Sequence, residues 1–251
     1  MVPNMKEAKI RLYVDHPLGQ GQSVALSRDH AHYLFGVMRL KIGDAVKLFN
    51  GEAGEWRAEI IEASKRSGTL TCTAQTAPLR LPPDLWLIFA PIKKARTDFI
   101  VEKATELGAD RIFPVQTEFT NAERLRRDRL QAHAVEAAEQ CGGTYVPIVE
   151  DIQKLGHLLD TWPQDRTLIF CDETLTETPS SLQKYAGGAQ SAGAEPPKAA
   201  ILIGPEGGFS EAERTRLRGM AQSISLGPRI LRADTAAIAA LTLWQSSNGD
   251  W

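Results

Sequence analysis

The stretch AAILIGPEGGFSEAE, residues 199–213, combines an apolar segment, a glycine-rich turn and the start of a helix. The apolar run 199–203 predicts a buried strand, and Ser210 with Glu213 has the S-x-x-E spacing of a capping box at a helix N-terminus. Glycines in the turn between them allow a tight bend and let a ligand approach the backbone N–H groups. These glycines are Gly204, Gly207 and Gly208.

A carboxylate, Glu206, lies in the middle of this turn. The turn matches neither G-x-G-x-x-G nor G-x-x-x-x-G-K-[ST], the two usual phosphate-binding patterns. A carboxylate repels a phosphate group, but it tolerates a cation and accepts hydrogen bonds from an amine or a hydroxyl. On this stretch alone, a strand-to-helix turn without any ligand is the simpler interpretation.

The next strand-like segment favours a ligand site. In SISLGPRILRADTAAIAALTLW, residues 223–244, a second Gly-Pro turn follows an apolar segment and two arginines, Arg229 and Arg232, precede an alanine-rich helix. Two neighbouring strand ends with such turns form a crevice at the carboxyl edge of a sheet, where α/β proteins bind ligands. A cofactor with an adenine, a cationic centre and hydroxyls, but no phosphate, would satisfy both turns. S-adenosylmethionine is such a molecule.

Residues 10–75 have the pattern of a small β-barrel interrupted by one helix. The pair Asn50-Gly51 lies between two strand-like segments and is a hairpin signal. The segment SRDHAHYLFGVMRL predicts a helix with Ser27 as its N-cap, because apolar residues recur at i, i+3, i+4 and i+7. These residues are Ala31, Leu34, Phe35 and Met38.

After a proline-rich linker at 76–84, strand-like and helical patterns alternate to the end of the sequence. Such alternation predicts a mainly parallel sheet covered by helices on both faces. One helix, TDFIVEKATELG, is predicted to begin with Thr97 as N-cap and to stop at Gly108.

Composition excludes several classes of protein. A hydrophobic content of 43% and a charged content of 24% are those of an ordinary globular protein. Uncharged apolar runs of about 18 residues are missing, and the first residues are charged, so neither a membrane span nor an export signal is expected. The three cysteines lack C-x-x-C spacing, which indicates a reducing cytoplasm and no zinc framework. A metal site at His30 and His32 is not expected either, because they point to different sides of a helix.

The paired motifs LIGPEGGFSEAE and SLGPRILRADTAAIAAL resemble the RsmE family of bacterial 16S ribosomal RNA methyltransferases. The similarity continues through DFIVEKATELGADRIFPV, VEAAEQCGG and the N-terminal RLYV and HYLFGVMRLKIGD, so it covers nearly the whole chain. The resemblance implies an α/β fold with two domains: a PUA-like RNA-binding β-barrel at 1–78 and a knotted, parallel-sheet SPOUT methyltransferase domain at 79–251. It also implies a homodimer through the C-terminal domain and methylation, by S-adenosylmethionine, of N3 of a uridine in 16S ribosomal RNA of assembled small subunits.

The resemblance also assigns residues. Arg232 would contact RNA or stabilise a uridine anion, although it could instead pair structurally with Glu206 or Asp234. N3 must lose a proton, and Glu206 and Asp234 are the candidate bases. Arg11 and Arg39 match arginines of the family and are expected to contact phosphates. The cofactor would lie against Leu202, Gly204, Pro205, Gly207, Gly208, Leu226, Gly227, Ile230, Leu231 and Arg232.

The sequence departs from the family pattern in three places. It reads RADTA at 232–236 where many members have R-T-E-T-A. At two further positions where an arginine is frequent in the family, this sequence has Phe119 and Gly143. These departures leave open a non-catalytic RNA-binding or ribosome-assembly protein on the same fold. A knotted transfer RNA methyltransferase is a further alternative, and Glu206 disfavours a phosphate-binding enzyme such as a dehydrogenase.

Overall fold

The chain divides into two compact units. The computed structural model describes residues 8–121, 125–176 and 196–251. One unit contains the chain up to Leu81 together with Ala138–Tyr145, and the other contains Pro82–Ala137 and Val146–Trp251. The boundary between residues 78 and 79 stays a prediction.

The N-terminal unit is built on a curled sheet. Its strands are β1 (Arg11–Tyr13), β2 (Ser23–Ala25), β3 (Ala45–Phe49), β4 (Glu55–Ala63) and β5 (Gly68–Ala77), in the order β1-β3-β4-β5-β2. All neighbours are antiparallel except β1 and β3, and register shifts between β4 and β5 bend the long hairpin. The resulting half-barrel encloses a core of fully buried aliphatic residues that includes Val24, Leu34, Val46, Leu48, Ile60 and Leu70. A barrel-like β domain with one helix is thus confirmed.

The helix of this unit begins as expected and then changes type. The Ser27 hydroxyl accepts a hydrogen bond from His30 N, so the predicted N-cap is confirmed. Helix α1 (Arg28–Ala31) continues directly as a π-helix, His32–Val37. Because a π-turn holds more residues than an α-turn, the i, i+7 spacing no longer returns to one face. Met38 is consequently 42% exposed rather than part of the core.

The C-terminal unit is an α/β sheet in which all strand pairs of the described residues are parallel. The strands follow the order β12-β10-β11-β6-β7-β8, with β9 also paired to β7. Along the chain the elements are β6 (Leu85–Phe89), α2 (Lys94–Glu106), β7 (Arg111–Gln116), α3 (Arg127–Cys141), β8 (Ile148–Val149), β9 (Gln153–Lys154), α4 (Leu155–Asp160), β10 (Thr167–Cys171), β11 (Ala199–Ile203), α5 (Glu211–Met220), β12 (Gln222–Ile224) and α6 (Ala233–Asn248).

Both faces of this sheet are buried. Leu85, Leu87 and Phe89 point to one apolar cluster, which includes residues of α2, α3 and α6, whereas Ile88 points to the other, which includes residues of α4 and α5. The alternation follows from the two-residue period of a strand. Helices on both sides of a parallel sheet are therefore confirmed. The knot stays a prediction.

The start of α2 corrects one prediction. The helix begins at Lys94 with Lys93 as its N-cap, three residues before Thr97. Thr97 is a buried residue inside the helix, and its hydroxyl accepts from Ile92 N and donates to Ile92 O. The threonine closes the turn that precedes the helix instead of capping the helix itself. Gly108, with φ +73°, ends the helix as predicted.

Among the helices of the described residues, none is long and apolar enough to cross a membrane.

Candidate functional site

A cavity of about 210 Å³ lies at the carboxyl ends of the adjacent strands β10, β11 and β12. Three loops meet there, one after each strand. The crevice predicted from the two Gly-Pro turns is present, but the strands before these turns, β11 and β12, are not neighbours as predicted, because β10 lies between them. Apolar and acidic side chains and two arginines share its wall. The lining residues are Cys171, Asp172, Glu173, Thr176, Ile203, Gly204, Pro205, Glu206, Gly208, Ser225, Leu226, Gly227, Arg229, Ile230, Leu231, Arg232, Ala233 and Ala236.

The glycine loop after β11 is shaped by the ring of Phe209. A Cβ atom at Gly204 would come within 2.5 Å of Phe209 Cε2. That ring is buried and packs edge-on against Phe170, with 5.1 Å between the ring centroids. Gly208 adopts φ +70° and donates from its N–H to Pro205 O, which closes the turn. The two glycines therefore have steric and conformational reasons to be glycine.

The helix that follows the loop begins with the predicted capping box. The Ser210 hydroxyl accepts from Glu213 N, and the Glu213 carboxylate accepts from Ser210 N at 3.0 Å. The other Glu213 oxygen accepts from Glu118 N at 3.0 Å, in the turn after β7. One carboxylate thus joins the glycine loop to a second loop of the same unit.

The loop after β10 contributes a buried carboxylate, Asp172, to the wall of the cavity. Its side chain is fully buried and accepts hydrogen bonds from Arg214 at 2.6 Å, from Arg218 at 2.8 and 3.0 Å, and from the Thr174 hydroxyl and N–H. Burial alone would raise the pKa of Asp172, but the hydrogen bonds from Thr174 and Arg218 and the charge of Arg214 hold it below its ordinary value. Asp172 is therefore ionised at neutral pH.

The neighbouring carboxylate, Glu173, reaches the glycine loop. Its Oε1 atom accepts from Arg214 at 2.7 Å and lies 2.5 Å from the point where a Gly208 Cβ would be. The same arginine donates to Phe209 O at 3.3 Å. Arg214 therefore ties the β10 loop to the β11 loop, and both loops line the cavity.

The loop after β12 forms the opposite wall. Gly227 adopts φ +116°, and a Cβ there would meet nothing within 4 Å, so this position faces open space in the cavity wall. Ser225 is buried, and its hydroxyl accepts from Gly227 N at 3.2 Å. Arg232 is the N-cap residue of α6 but makes no side-chain cap, and Ala233, the first residue of the helix, lines the cavity.

The rim of the cavity is charged and exposed. Glu206, Arg229 and Arg232 are exposed, and the side chain of Ile230 is 74% exposed. Within the ranges that the structure describes, neither arginine forms an ion pair; Asp234 instead lies 3.8 Å from Arg96 Nε. The structural alternative for Arg232, a pairing with Glu206 or Asp234, is thus not seen in this part of the chain.

The structure brings together most of the predicted site residues. Leu202 is fully buried under the glycine loop, and Gly207 and Asp234 do not line the cavity. Asp172 and Glu173 were missed by the sequence reasoning, although the strand-like segment RTLIFCDE ends in them and its neighbours in the sheet carry the two glycine turns. The predicted residues that do line the cavity are Gly204, Pro205, Glu206, Gly208, Leu226, Gly227, Ile230, Leu231 and Arg232.

The two predicted phosphate-binding arginines of the N-terminal unit differ in their surroundings. Arg39 is exposed and adopts φ 56°, an uncommon conformation for a residue other than glycine. Arg11 is paired with Glu55 and donates to the backbone oxygens of Ala138, Glu139 and Gly143, and only 12% of its side chain is exposed. A phosphate contact by Arg11 stays a prediction, and it would require an exchange of these internal bonds.

The cavity suits a nucleoside cofactor with a positive centre better than a phosphorylated one. Aliphatic side chains such as Leu226 and Leu231 line the cavity and can cover a base. Asp172 and Glu173 are both paired with Arg214, whereas Glu206 has no ion-pair partner among the described residues and would repel phosphate but attract a cation. The volume is below the ~300–1,000 Å³ of common ligand pockets, so such a ligand would extend over the exposed rim. Among the described residues, no group of His, Cys, Asp and Glu could hold a metal ion.

Two family models match the chain. The model described as an RNA methyltransferase domain matches residues 79–245, and the model described as an RNA methyltransferase PUA domain matches residues 26–71. The first match contains every residue that lines the cavity.

Known proteins are similar over most of the chain. The ribosomal RNA small subunit methyltransferase E of Rickettsia conorii is 31% identical over 234 residues, which cover 92% of this chain and 93% of that protein. The protein of the same name from Bacillus subtilis is 28% identical and covers 89% of this chain and 90% of its own length.

Solved structures share the fold. A ribosomal RNA small subunit methyltransferase E from Neisseria gonorrhoeae, bound to S-adenosyl methionine, has a TM-score of 0.83 at 27% identity and covers 96% of this chain and 99% of that one. A structure from Legionella pneumophila, in complex with the cofactor SAM, has a TM-score of 0.80 at 27% identity, with the same coverage.

Proposed function

The chain belongs to the ribosomal RNA small subunit methyltransferase E family, and from this premise we propose that it methylates N3 of a uridine in 16S ribosomal RNA. The methyl donor is S-adenosylmethionine, and the substrate is the assembled small ribosomal subunit. Such a substrate places the protein in the cytoplasm. The protein acts as a homodimer through its C-terminal domain.

The observation that carries this proposal is the cavity at the ends of β10, β11 and β12. Its walls contain both Gly-Pro turns, an apolar surface and the carboxylate of Glu206, unpaired within the described part of the chain, and its glycine loop matches neither of the usual phosphate-binding patterns. This combination favours a cofactor that is uncharged at its sugar and positive at its reactive atom. S-adenosylmethionine bound there would supply a methyl group on a sulfonium.

In this proposal, residues of the chain bind and orient the cofactor. Backbone groups of Gly204, Gly208 and Gly227 hold the adenosine, while Leu226 and Leu231 cover the adenine. The remaining predicted contacts of the cofactor are Leu202, Pro205, Gly207, Ile230 and Arg232. Leu202 acts from beneath the glycine loop, since its side chain is buried.

Arg232 and one carboxylate serve the uracil ring. As N3 loses its proton, negative charge develops on the ring, and the exposed Arg232 guanidinium at the rim would stabilise that charge. Glu206 is the better placed candidate to accept the proton because it lines the cavity and has no ion-pair partner among the described residues. Asp234 is the weaker candidate, since it lies outside the cavity wall beside Arg96.

The N-terminal unit docks the ribosomal RNA. Arg39 is exposed and can contact a phosphate without breaking an internal bond. Arg11 contacts the RNA only if it gives up its pairing with Glu55.

Transfer of labelled methyl from S-adenosylmethionine tests the proposal. The substrates are undermethylated small subunits, naked 16S ribosomal RNA and transfer RNA, and the products are hydrolysed to nucleosides. We expect 3-methyluridine from small subunits, with Arg216→Ala as a control variant that removes an exposed arginine of α5 outside the cavity. Label found in transfer RNA alone would show that transfer RNA, and not the small subunit, is the substrate. S-adenosylmethionine binding without transfer to any of the three would favour the non-catalytic alternative.

A further inference from the structure

An aromatic side chain, Phe119, stands exposed beside the glycine loop. It follows strand β7, and 43% of its surface is accessible to solvent. Its Cβ lies 3.1 Å from the point where a Cβ of Gly207 would be. Gly207 is the glycine of the loop that does not line the cavity, and its two neighbours, Glu206 and Gly208, do line it. The missing side chain of Gly207 therefore makes room for Phe119 next to the cavity wall.

The turn that carries Phe119 is held firmly. The Thr120 N–H donates to Thr117 O, and the Thr117 N–H donates to the Thr120 hydroxyl at 2.9 Å. Glu118 N donates to Glu213, whose other oxygen completes the capping box at the start of α5. The turn and the glycine loop are thus attached to the same carboxylate. Because these bonds hold the backbone that carries the ring, covering the ring with a ligand costs little backbone entropy.

We propose that Phe119 is the platform on which the target pyrimidine stacks when it enters the site. This inference rests on the proposed function and adds a residue to it. A phenyl ring offers a flat apolar face and no hydrogen-bonding group, so it can hold a base by its face while leaving the N3 edge free. The groups that act on that edge, Arg232 and Glu206, lie on the rim of the adjoining cavity.

A substitution series separates stacking from other roles of this side chain. Phe119→Tyr and Phe119→Trp keep an aromatic face, Phe119→Leu keeps an apolar side chain without one, and Phe119→Ala removes the surface. Phe99→Ala is the matched control, since Phe99 is an exposed phenylalanine of the same unit, 38% accessible, on α2 and outside the cavity wall. For each variant, kcat/KM for undermethylated small subunits, Kd for S-adenosylmethionine and Tm are measured.

We expect kcat/KM to fall about tenfold in Phe119→Ala and in Phe119→Leu, the loss typical of one base stack. The tyrosine and tryptophan variants should stay within about threefold of the unchanged protein, and Kd for S-adenosylmethionine should stay the same throughout. A Phe119→Leu variant as active as the unchanged protein would show that Phe119 contributes apolar packing and not stacking. Weaker cofactor binding in Phe119→Ala would show that the side chain supports the glycine loop. If the unchanged protein methylates and no variant differs, only this inference fails. If the unchanged protein does not methylate, the proposed function fails and takes the inference with it.

Discussion

Arg214 and Asp172 form a buried ion pair at the base of the cavity, with 2.6 Å between Arg214 Nη1 and Asp172 Oδ1. The two side chains are 10% and 0% exposed. Arg214 also binds Glu173 and Phe209 O, so one guanidinium joins the end of β10 to the glycine loop after β11. The shape of the candidate site therefore depends on this buried ion pair.

Removal of Arg214 should destabilise the protein strongly. Among the described residues, Arg214→Leu leaves the buried Asp172 carboxylate with Arg218 as its one charged partner, and breaking a buried pair in this way costs about 3 kcal/mol. Arg216→Leu, two residues away on the same helix, removes an exposed pair with Asp160 and should cost less than about 0.5 kcal/mol. Urea unfolding measures both free energies. Equal losses would contradict the structural role given to Arg214.

Asp172 should make the protein sensitive to acid. Its pKa in the folded state lies below its ordinary value, despite burial, because of Thr174, Arg218 and Arg214. The stabilisation that follows is complete above the unfolded-state pKa of about 4 and is lost as the pH falls below that value towards the folded-state pKa. Asp172→Asn should therefore be less stable at pH 7, and its unfolding free energy should change less between pH 5 and 2. Parallel pH profiles of the two proteins would contradict this.

Arg232 and Asp234 should differ in their importance for methyl transfer. Arg232 is exposed on the cavity rim, and loss of a group that stabilises developing charge costs on the order of 10²-fold in kcat. Asp234 lies beside Arg96 and outside the cavity wall, so Asp234→Asn should retain kcat within about threefold. Steady-state kinetics on small subunits compare Arg232→Ala with Asp234→Asn. A reversed order would make Asp234 the base.

Sequence patterns that involve residues close together in the chain predicted the local structure correctly. The capping box of Ser210 and Glu213 depends on residues three apart, and the structure contains both of its hydrogen bonds. The glycine turns depend on a few consecutive residues, and the strands beside them on continuous apolar runs. Together these local signals placed the cavity at the ends of β11 and β12, but they missed β10, which lies between the two strands and contributes to the cavity wall.

The errors and omissions have physical causes that lie beyond local sequence. Thr97 has a side chain suited to an N-cap, but its hydroxyl bonds with Ile92 instead, and the helix starts at a lysine without a cap. Asp172 acquires its role from Arg214 and Arg218, which are 42 and 46 residues further along the chain. Contacts over such distances exist only once β10 and α5 have packed, so no spacing rule could reveal them.

Gly204 should tolerate no side chain, in contrast to Gly219 of the same unit. A Cβ at Gly204 would lie 2.5 Å from Phe209 Cε2, and that ring is buried against Phe170 and cannot turn away without loss of packing. Gly204→Ala should therefore cost about 1–3 kcal/mol in stability and weaken S-adenosylmethionine binding, because the displaced ring moves the loop that lines the cavity. At Gly219, in α5, a Cβ would meet nothing within 4 Å and φ is not positive, so Gly219→Ala should stabilise the helix by about 0.5 kcal/mol. Urea unfolding and cofactor titration of the two variants check both signs, and a stable Gly204→Ala protein with unchanged cofactor affinity would show that the Phe209 ring does not shape the site.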